Sequence, residues 1–156
     1  MGDSVDRLVF EADTSSKKRK GVHRPIFAPF FTQPAVDAPT PSKVHLLVNP
    51  YSGRKKGLSV GQEAERLLIE AGVIVETHHS EYAGHFVEIT TSLNLSDGDC
   101  IAVVGGDGSL SESITGWMRT KQTVKPVFAV IPAGTGNSQG TELAISGVDD
   151  AVSRIL

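Results

Sequence analysis

One stretch constrains this chain more than any other: Ile101-Ala102-Val103-Val104 runs straight into Gly105-Gly106-Asp107-Gly108-Ser109. Apolar residues that stop abruptly at glycines read as a buried strand followed by a loop. The backbone of that loop can take φ > 0 and meet a ligand without a Cβ in the way. Ser109 and Glu112 have the S-x-x-E spacing of a capping box, which marks Ser109 as the expected start of a helix. A helix start offers free N–H groups and the positive end of the dipole, and both favour an anion. The expected unit is strand, phosphate-facing loop, helix. A tight strand-to-helix turn without a ligand would carry the same glycines, so the rest of the chain has to discriminate.

With 156 residues and 39% hydrophobic content, the chain has room for one cored domain and a tail. A net charge of −3 gives no electrostatic footprint for nucleic acid. The single cysteine, Cys100, excludes an internal disulfide framework and fits a reducing compartment. Its place at the head of an apolar strand reads as core. No apolar run approaches the roughly 18 residues of a membrane span, and the N-terminus lacks the charged-then-apolar pattern of a secretory signal. The expected setting is cytoplasmic, with membranes met only peripherally.

Residues 1–42 differ from the rest. Lys17-Lys18-Arg19-Lys20 is a basic run, and Pro25, Pro29, Pro34, Pro39 and Pro41 exclude a regular helix or central strand. A disordered or extended leader is expected there. A domain is expected over 43–156. It opens with Val44-His45-Leu46-Leu47-Val48, a near-continuous apolar strand of the kind buried on both faces of a parallel sheet. Asn49-Pro50-Tyr51-Ser52-Gly53 then forms a turn, with the positive patch Arg54, Lys55, Lys56 behind it. Ala64, Leu67, Leu68 and Ala71 recur at helical spacing before the stop at Gly72. Val73–Thr77 reads as a second strand, Tyr82–Leu95 as a helix with Phe86, Ile89 and Leu93 inward, and Cys100–Val104 as a third strand. A helix over Ser109–Arg119 with Ile114 and Trp117 on its inner side follows, then a strand over Pro126–Ile131 and helices over 138–146 and 148–156. Strands alternating with helices predict an α/β three-layer sandwich with a mainly parallel sheet.

Three glycine-bearing turns follow three different strands: Asn49–Gly53, Gly105–Ser109, and Pro132-Ala133-Gly134-Thr135-Gly136-Asn137. In an open α/β sheet the loops at the carboxyl ends of strands line one crevice, so the three are expected to converge. The joint site would offer backbone N–H donors, the hydroxyls of Ser52, Ser109 and Thr135, the amides of Asn49 and Asn137, and one acid, Asp107. An acid beside phosphates needs a purpose. It can bind a metal ion or accept the proton of an attacking hydroxyl; it can also simply bond its own loop. Neither G-x-x-x-x-G-K-[ST] nor G-x-G-x-x-G occurs, so a nucleotide site here is built differently from either. His78, His79 and His85 follow no standard zinc spacing, and the sequence assigns no metal-ligating residues.

Asn49-Pro50-Tyr51-Ser52-Gly53, Gly105-Gly106-Asp107-Gly108-Ser109 with Glu112 and Gly116, and Pro132–Asn137 resemble the catalytic domain of the diacylglycerol kinase family, which includes sphingosine and ceramide kinases and bacterial lipid kinases. Gly84-His85, with Ser80 where the family has Thr, is a fourth and weaker match. The resemblance covers residues 43 to 156. It implies the fold of the nucleotide-binding domain of that family, ATP binding, Mg2+, and transfer of the γ-phosphate to a lipid hydroxyl at a membrane surface. It also implies roles. Asn49, Pro50, Tyr51, Ser52, Gly53 and Ser80 would contact the nucleotide. Gly105, Gly106, Gly108 and Ser109 would face its phosphates, and Glu112, Gly134, Thr135, Gly136 and Asn137 would line the same pocket. Asp107 would be the general base or electrostatic organiser for the lipid hydroxyl.

Thr115 stands where the family commonly has Asn, and Ser138-Gln139-Gly140-Thr141 replaces the Asp-Phe-Ala-Arg of bacterial and diacylglycerol-type members, which leans toward the sphingosine kinases. The family also carries a second, β-rich domain with further nucleotide and metal contacts and most of the acceptor pocket. Its absence from this chain implies that activity needs that domain or a partner chain. An NAD kinase-like or phosphofructokinase-like enzyme shares the Gly-Gly-Asp-Gly loop, although the Asn-Pro-x-Ser-Gly turn favours lipid kinases. A non-catalytic module retaining nucleotide or lipid-surface contact is the third reading.

Overall fold

The computed structural model describes residues 39–133 and 143–156. The leader expected over 1–42 therefore lies outside the described residues up to position 38, as do Gly134, Thr135, Gly136 and Asn137 and the helix expected from 138, up to position 142. Residues 143–146 form a turn and coil rather than the end of that helix.

The element order is β1 (Lys43–Val48), α1 (Ser52–Lys55), α2 (Gly57–Glu70), β2 (Ile74–His79), α3 (His85–Ser92), β3 (Cys100–Gly105), α4 (Asp107–Met118), β4 (Val127–Pro132) and α5 (Val148–Ile155). The strands form one sheet in the order β2-β1-β3-β4, every neighbouring pair parallel. The α/β sandwich expected from the alternation is the observed fold.

Each sheet face buries its own cluster. On one side Val44, Leu46, Val48, Ala102 and Val104 meet Ala64 and Leu68 of α2 and Ala151, Val152 and Ile155 of α5. On the other, Leu47, Ile101, Val103 and Phe128 meet Phe86 of α3 and Leu110 of α4. A strand covered on both faces has no use for polar alternation. Val44, Leu46, Leu47 and Val48 are all fully buried, each gaining about 1.5–3 kcal/mol over an exposed position. Cys100 is buried, as its place at the strand head implied.

Three helix boundaries differ from expectation. α3 starts at His85 rather than Tyr82, because Gly84 sits in the left-handed region at φ 88 and breaks any earlier turn. It stops at Ser92 rather than Leu95 because the side-chain amide of Gln122 captures the next backbone groups: it donates to Leu93 O at 2.6 Å and accepts from Leu95 N–H at 3.0 Å. α4 begins at Asp107, two residues before Ser109.

Connectivity fixes where a ligand crevice can form. From β1 the chain leaves to α2 on one face, while from β3 it leaves to α4 on the other. The loops after these two adjacent strands diverge, which opens a crevice outside their carboxyl ends.

Candidate functional site

The first wall is the Asn49 turn. Asn49 N–H donates to Val104 O at 3.0 Å, continuing the β1–β3 ladder by one residue. Its side chain then works in two directions. Oδ1 accepts from Tyr51 N–H at 3.1 Å, the self-bonding that makes Asn a turn residue. Nδ2 donates to Ser109 Oγ at 3.2 Å and ties this turn to α4. Ser52 Oγ donates to Asn49 O at 2.9 Å. The backbone beyond is unusual: Gly53, Arg54 and Lys55 have φ of 58, 57 and 69 in succession. Left-handed backbone costs a non-glycine residue about 1–2 kcal/mol. Of the cationic run Arg54 to Lys56, Arg54 lines the crevice.

The second wall follows β2. Ser80 N–H donates to Val48 O at 3.0 Å, and Ser80 is buried. The Tyr82 ring stacks on His85 with centroids 4.4 Å apart. Its hydroxyl donates to Glu88 Oε2 at 2.9 Å, and that bond holds the phenol above its usual pKa.

The third wall is the Gly105–Ser109 loop. Gly106 is extended and caps α4 with no side-chain acceptor. Asp107 is thus the first helical residue, an acid where the dipole favours negative charge. A Cβ on Gly108 would meet nothing within 4 Å, so open space stands before the helix start. A Cβ on Gly105 would lie 2.6 Å from Ser109 Oγ, the hydroxyl that receives Asn49.

The capping box expected between Ser109 and Glu112 is not formed. Ser109 is the third residue of the helix, buried, and its carbonyl accepts from Ser113 Oγ at 2.8 Å. Glu112 instead accepts from Gly84 N–H, Oε1 at 3.0 Å, and so links α4 to the second wall. The S-x-x-E spacing was matched by a residue with a long-range partner.

Together the walls enclose a cleft of about 650 Å³, inside the range of small-molecule sites. Of the residues expected to build a site, Asn49, Tyr51, Ser52, Gly53, Ser80, Gly106, Asp107, Gly108, Ser109 and Glu112 line it. Pro50 and Gly105 do not. Pro50 lies within the turn, while Gly105 closes β3, its carbonyl accepting from Ala133 N–H at 3.1 Å. Gly134, Thr135, Gly136 and Asn137 fall outside the described residues. The sequence did not assign Arg54, Tyr82, Ala83 or Phe86, which also line the cleft. The cationic run directly after Gly53 was the signal for Arg54; Phe86 was expected only as core.

Fold and site thus define a doubly wound parallel α/β domain with a ligand cleft at its β1/β3 switch point, lined by uncapped helix N–H groups, hydroxyls and an aspartate. The diacylglycerol kinase catalytic domain family matches residues 43–156, and the chain belongs to that family. It is 33% identical over 118 residues to sphingosine kinase 1 of Arabidopsis thaliana, covering 73% of this chain and 24% of the relative. Against sphingosine kinase 2 of Homo sapiens it is 33% identical over 106 residues, 64% of this chain and 16% of the relative. The crystal structure of a diacylglycerol kinase from Bacillus anthracis strain Sterne superposes with a TM-score of 0.58 at 26% identity, over 71% of this chain and 40% of that one. The chain therefore spans a quarter or less of the length of these curated relatives. No helix of the described residues is long and apolar enough to cross a membrane.

Proposed function

We propose that this chain is the nucleotide-binding part of an ATP-dependent lipid kinase. The observation that carries the reading is the meeting of three post-strand loops at one switch-point cleft, with Asp107 at the start of α4. The uncapped first turn of α4 and the open space at Gly108 suit the phosphates of ATP. The hydroxyls of Ser52 and Ser80 and the guanidinium of Arg54 flank the same volume. Tyr51, Gly53 and Glu112 complete the nucleotide wall, Pro50 and Gly105 support it through the loops they form, and Gly134, Thr135, Gly136 and Asn137, by the family resemblance, would contact the same nucleotide.

In the proposed reaction a lipid hydroxyl oxygen bonds to the γ-phosphorus, the bond from that phosphorus to the β–γ bridging oxygen breaks, and ADP leaves. Asp107 accepts the hydroxyl proton or fixes the hydroxyl for attack. Mg2+ would supply charge neutralisation on the phosphates, and Asp107, the acid at the start of α4 and in the lining of the cleft, is the residue that would hold it. The acceptor is a sphingoid base, ceramide or diacylglycerol. The names of the curated relatives favour a sphingoid base. Transfer is expected to need the β-rich domain implied by the family resemblance, in the same protein or from a partner, at a membrane surface approached from the cytoplasmic side.

The test is transfer of radiolabelled phosphate from ATP–Mg to sphingosine, ceramide and diacylglycerol in mixed micelles. The chain is assayed beside the protein extended by whatever its transcript encodes downstream. A labelled lipid, lost in Asp107→Asn while ATP binding persists, supports the reading. Labelling of NAD or a sugar phosphate instead overturns it, as does no product from either protein with ATP bound.

A further inference from the structure

On the sheet face covered by α3 and α4, toward the β2 edge, β1 and β2 bring together side chains that the nucleotide cleft does not use. The parallel register sets His45 opposite Glu76 and Leu47 opposite His78. Residues two apart on a strand share a face, so Glu76 and His78 stand on the same side as His45. His45 Nδ1 lies 3.7 Å from Glu76 Oε2, and His78 Nε2 lies 3.4 Å from Glu76 Oε1. One ligand-capable atom from each of the three falls within 4.8 Å of the other two. The 3.4 and 3.7 Å separations match donors on a single tetrahedral ion with bonds of about 2.0–2.2 Å.

The bonding around them is incomplete. His45 is 1% exposed, and among the described residues neither of its ring nitrogens has a hydrogen-bond partner; His78 Nε2 is likewise buried and unmatched among them. A buried imidazole normally satisfies both nitrogens. On its far side His45 Nε2 faces Asp99 Oδ2 at 3.5 Å. Asp99 is itself buried and fixed by Ser96 N–H at 2.8 Å. A carboxylate behind an imidazole whose other nitrogen points at a cluster of donors is the outer-shell arrangement of metal-binding histidines. Burial also holds both imidazoles below their ordinary pKa, which keeps the lone pairs that a metal requires.

We propose that His45 Nδ1, His78 Nε2 and a carboxylate oxygen of Glu76 form a binding site for a divalent transition-metal cation of the Zn2+ class, with Asp99 orienting His45. Two imidazoles and one carboxylate select such an ion over Mg2+ or Ca2+, which prefer all-oxygen sets. The site is thus independent of any Mg2+ carried by a nucleotide. Half-exposed Glu76 leaves an open side where water completes a tetrahedron. Lys43 Nζ bonds Glu76 Oε2 at 2.5 Å and is the competing cation; the other oxygen faces His78. An ion here pins β1 to β2 two residues before Ser80, and so stiffens one wall of the cleft.

The test is calorimetric titration of the full chain with Zn2+, paired with Co2+ titration followed by visible absorption. One equivalent of each should bind, with the ligand-field bands of a four-coordinate site for Co2+. His78→Ala and Glu76→Ala, both on the open edge, should weaken Zn2+ by about tenfold or more, and Asp99→Asn by about 10–100-fold. His79→Ala should leave affinity unchanged, and Lys43→Met should raise it. Circular dichroism confirms that each variant is folded. No stoichiometric binding at micromolar Zn2+, or equal affinity in folded His78→Ala and His79→Ala, overturns the proposal.

Discussion

Glu112 Oε1 accepts a hydrogen bond from the backbone N–H of Gly84 at 3.0 Å, joining the second turn of α4 to the residue that caps α3. The contact spans 28 positions of sequence and holds two walls of the cleft at a fixed separation. Glu112→Ala is expected to lower the unfolding free energy by about 1–2 kcal/mol, the range of a part-exposed hydrogen bond to a charged group. Glu112→Gln keeps an acceptor and should lose clearly less. Urea unfolding of the two variants checks this; equal losses would mean that the bond contributes through charge alone.

Gly116 decides how closely α3 and α4 pack. A Cβ there would lie 2.5 Å from Val87 O and 2.9 Å from Thr90 Cβ. Glycine to alanine in an exposed helix gains about 1 kcal/mol from propensity. Overpacking against backbone costs about 1–3 kcal/mol, and the steric effect should win because a carbonyl cannot rotate away as a side chain can. Gly116→Ala is expected to lower the thermal midpoint. A raised midpoint would mean that the helices separate freely.

Gly53 combines two constraints. Its φ is 58, and a Cβ would lie 1.6 Å from Ala133 O. Gly53→Ala should therefore displace the first turn from the end of β4 as well as strain it, with a loss of more than about 1 kcal/mol. Because Gly53 lines the cleft, ATP affinity should fall in parallel. Gly72 makes the control: its φ is 83 but a Cβ there meets nothing within 4 Å. Gly72→Ala should destabilise without touching ATP affinity.

Asp150 gives a pH dependence with a definite sign. It accepts from Ser146 N–H at 2.9 Å and from Arg154 Nε at 3.1 Å. The Ser146 N–H first, and Arg154 second, hold its carboxyl below the usual value of 3.8. The folded state thus binds this proton more weakly than the unfolded one, so the contribution is present above pH 3.8 and lost as pH falls below it. Solvent screening limits it to less than about 1 kcal/mol. Asp150→Asn should lower stability at pH 7 and narrow the gap to wild type in acid. A gap that widens below pH 3.8 would contradict the assignment.

Sequence and structure agree where local physics decides. β1, β3 and β4 are apolar runs because both sheet faces are covered, and α2 shows its period and its glycine stop. They part where a distant residue intervenes. Gln122 ends α3 early by capturing backbone 27 and 29 positions away, and nothing near Leu93 records this. Glu112 matches a capping-box pattern yet spends its carboxylate on Gly84, and Gly106 starts α4 with backbone alone, so Ser109 marks the wrong residue. Two of the three turns expected to converge, Asn49–Gly53 and Gly105–Ser109, do meet at one cleft, because strand–helix alternation sends the loops after adjacent strands to one crevice; the third, Pro132–Asn137, lies outside the described residues beyond Ala133. Arg54 and Tyr82 were not read as part of the cleft, since their placement depends on left-handed backbone and on ring stacking. His45, Glu76 and His78 were invisible as a group: only the β1–β2 register brings residues thirty positions apart onto one patch.

The most direct measurement is an ATP titration of the isotope-labelled chain followed by backbone amide NMR shifts. The account predicts saturable shifts at residues 49–54, 80–86, 105–112 and 132–137, with α5 and the β2-edge face around Ile74 and Glu76 unmoved. No shift at millimolar ATP, or shifts centred away from the β1/β3 crevice, would contradict it.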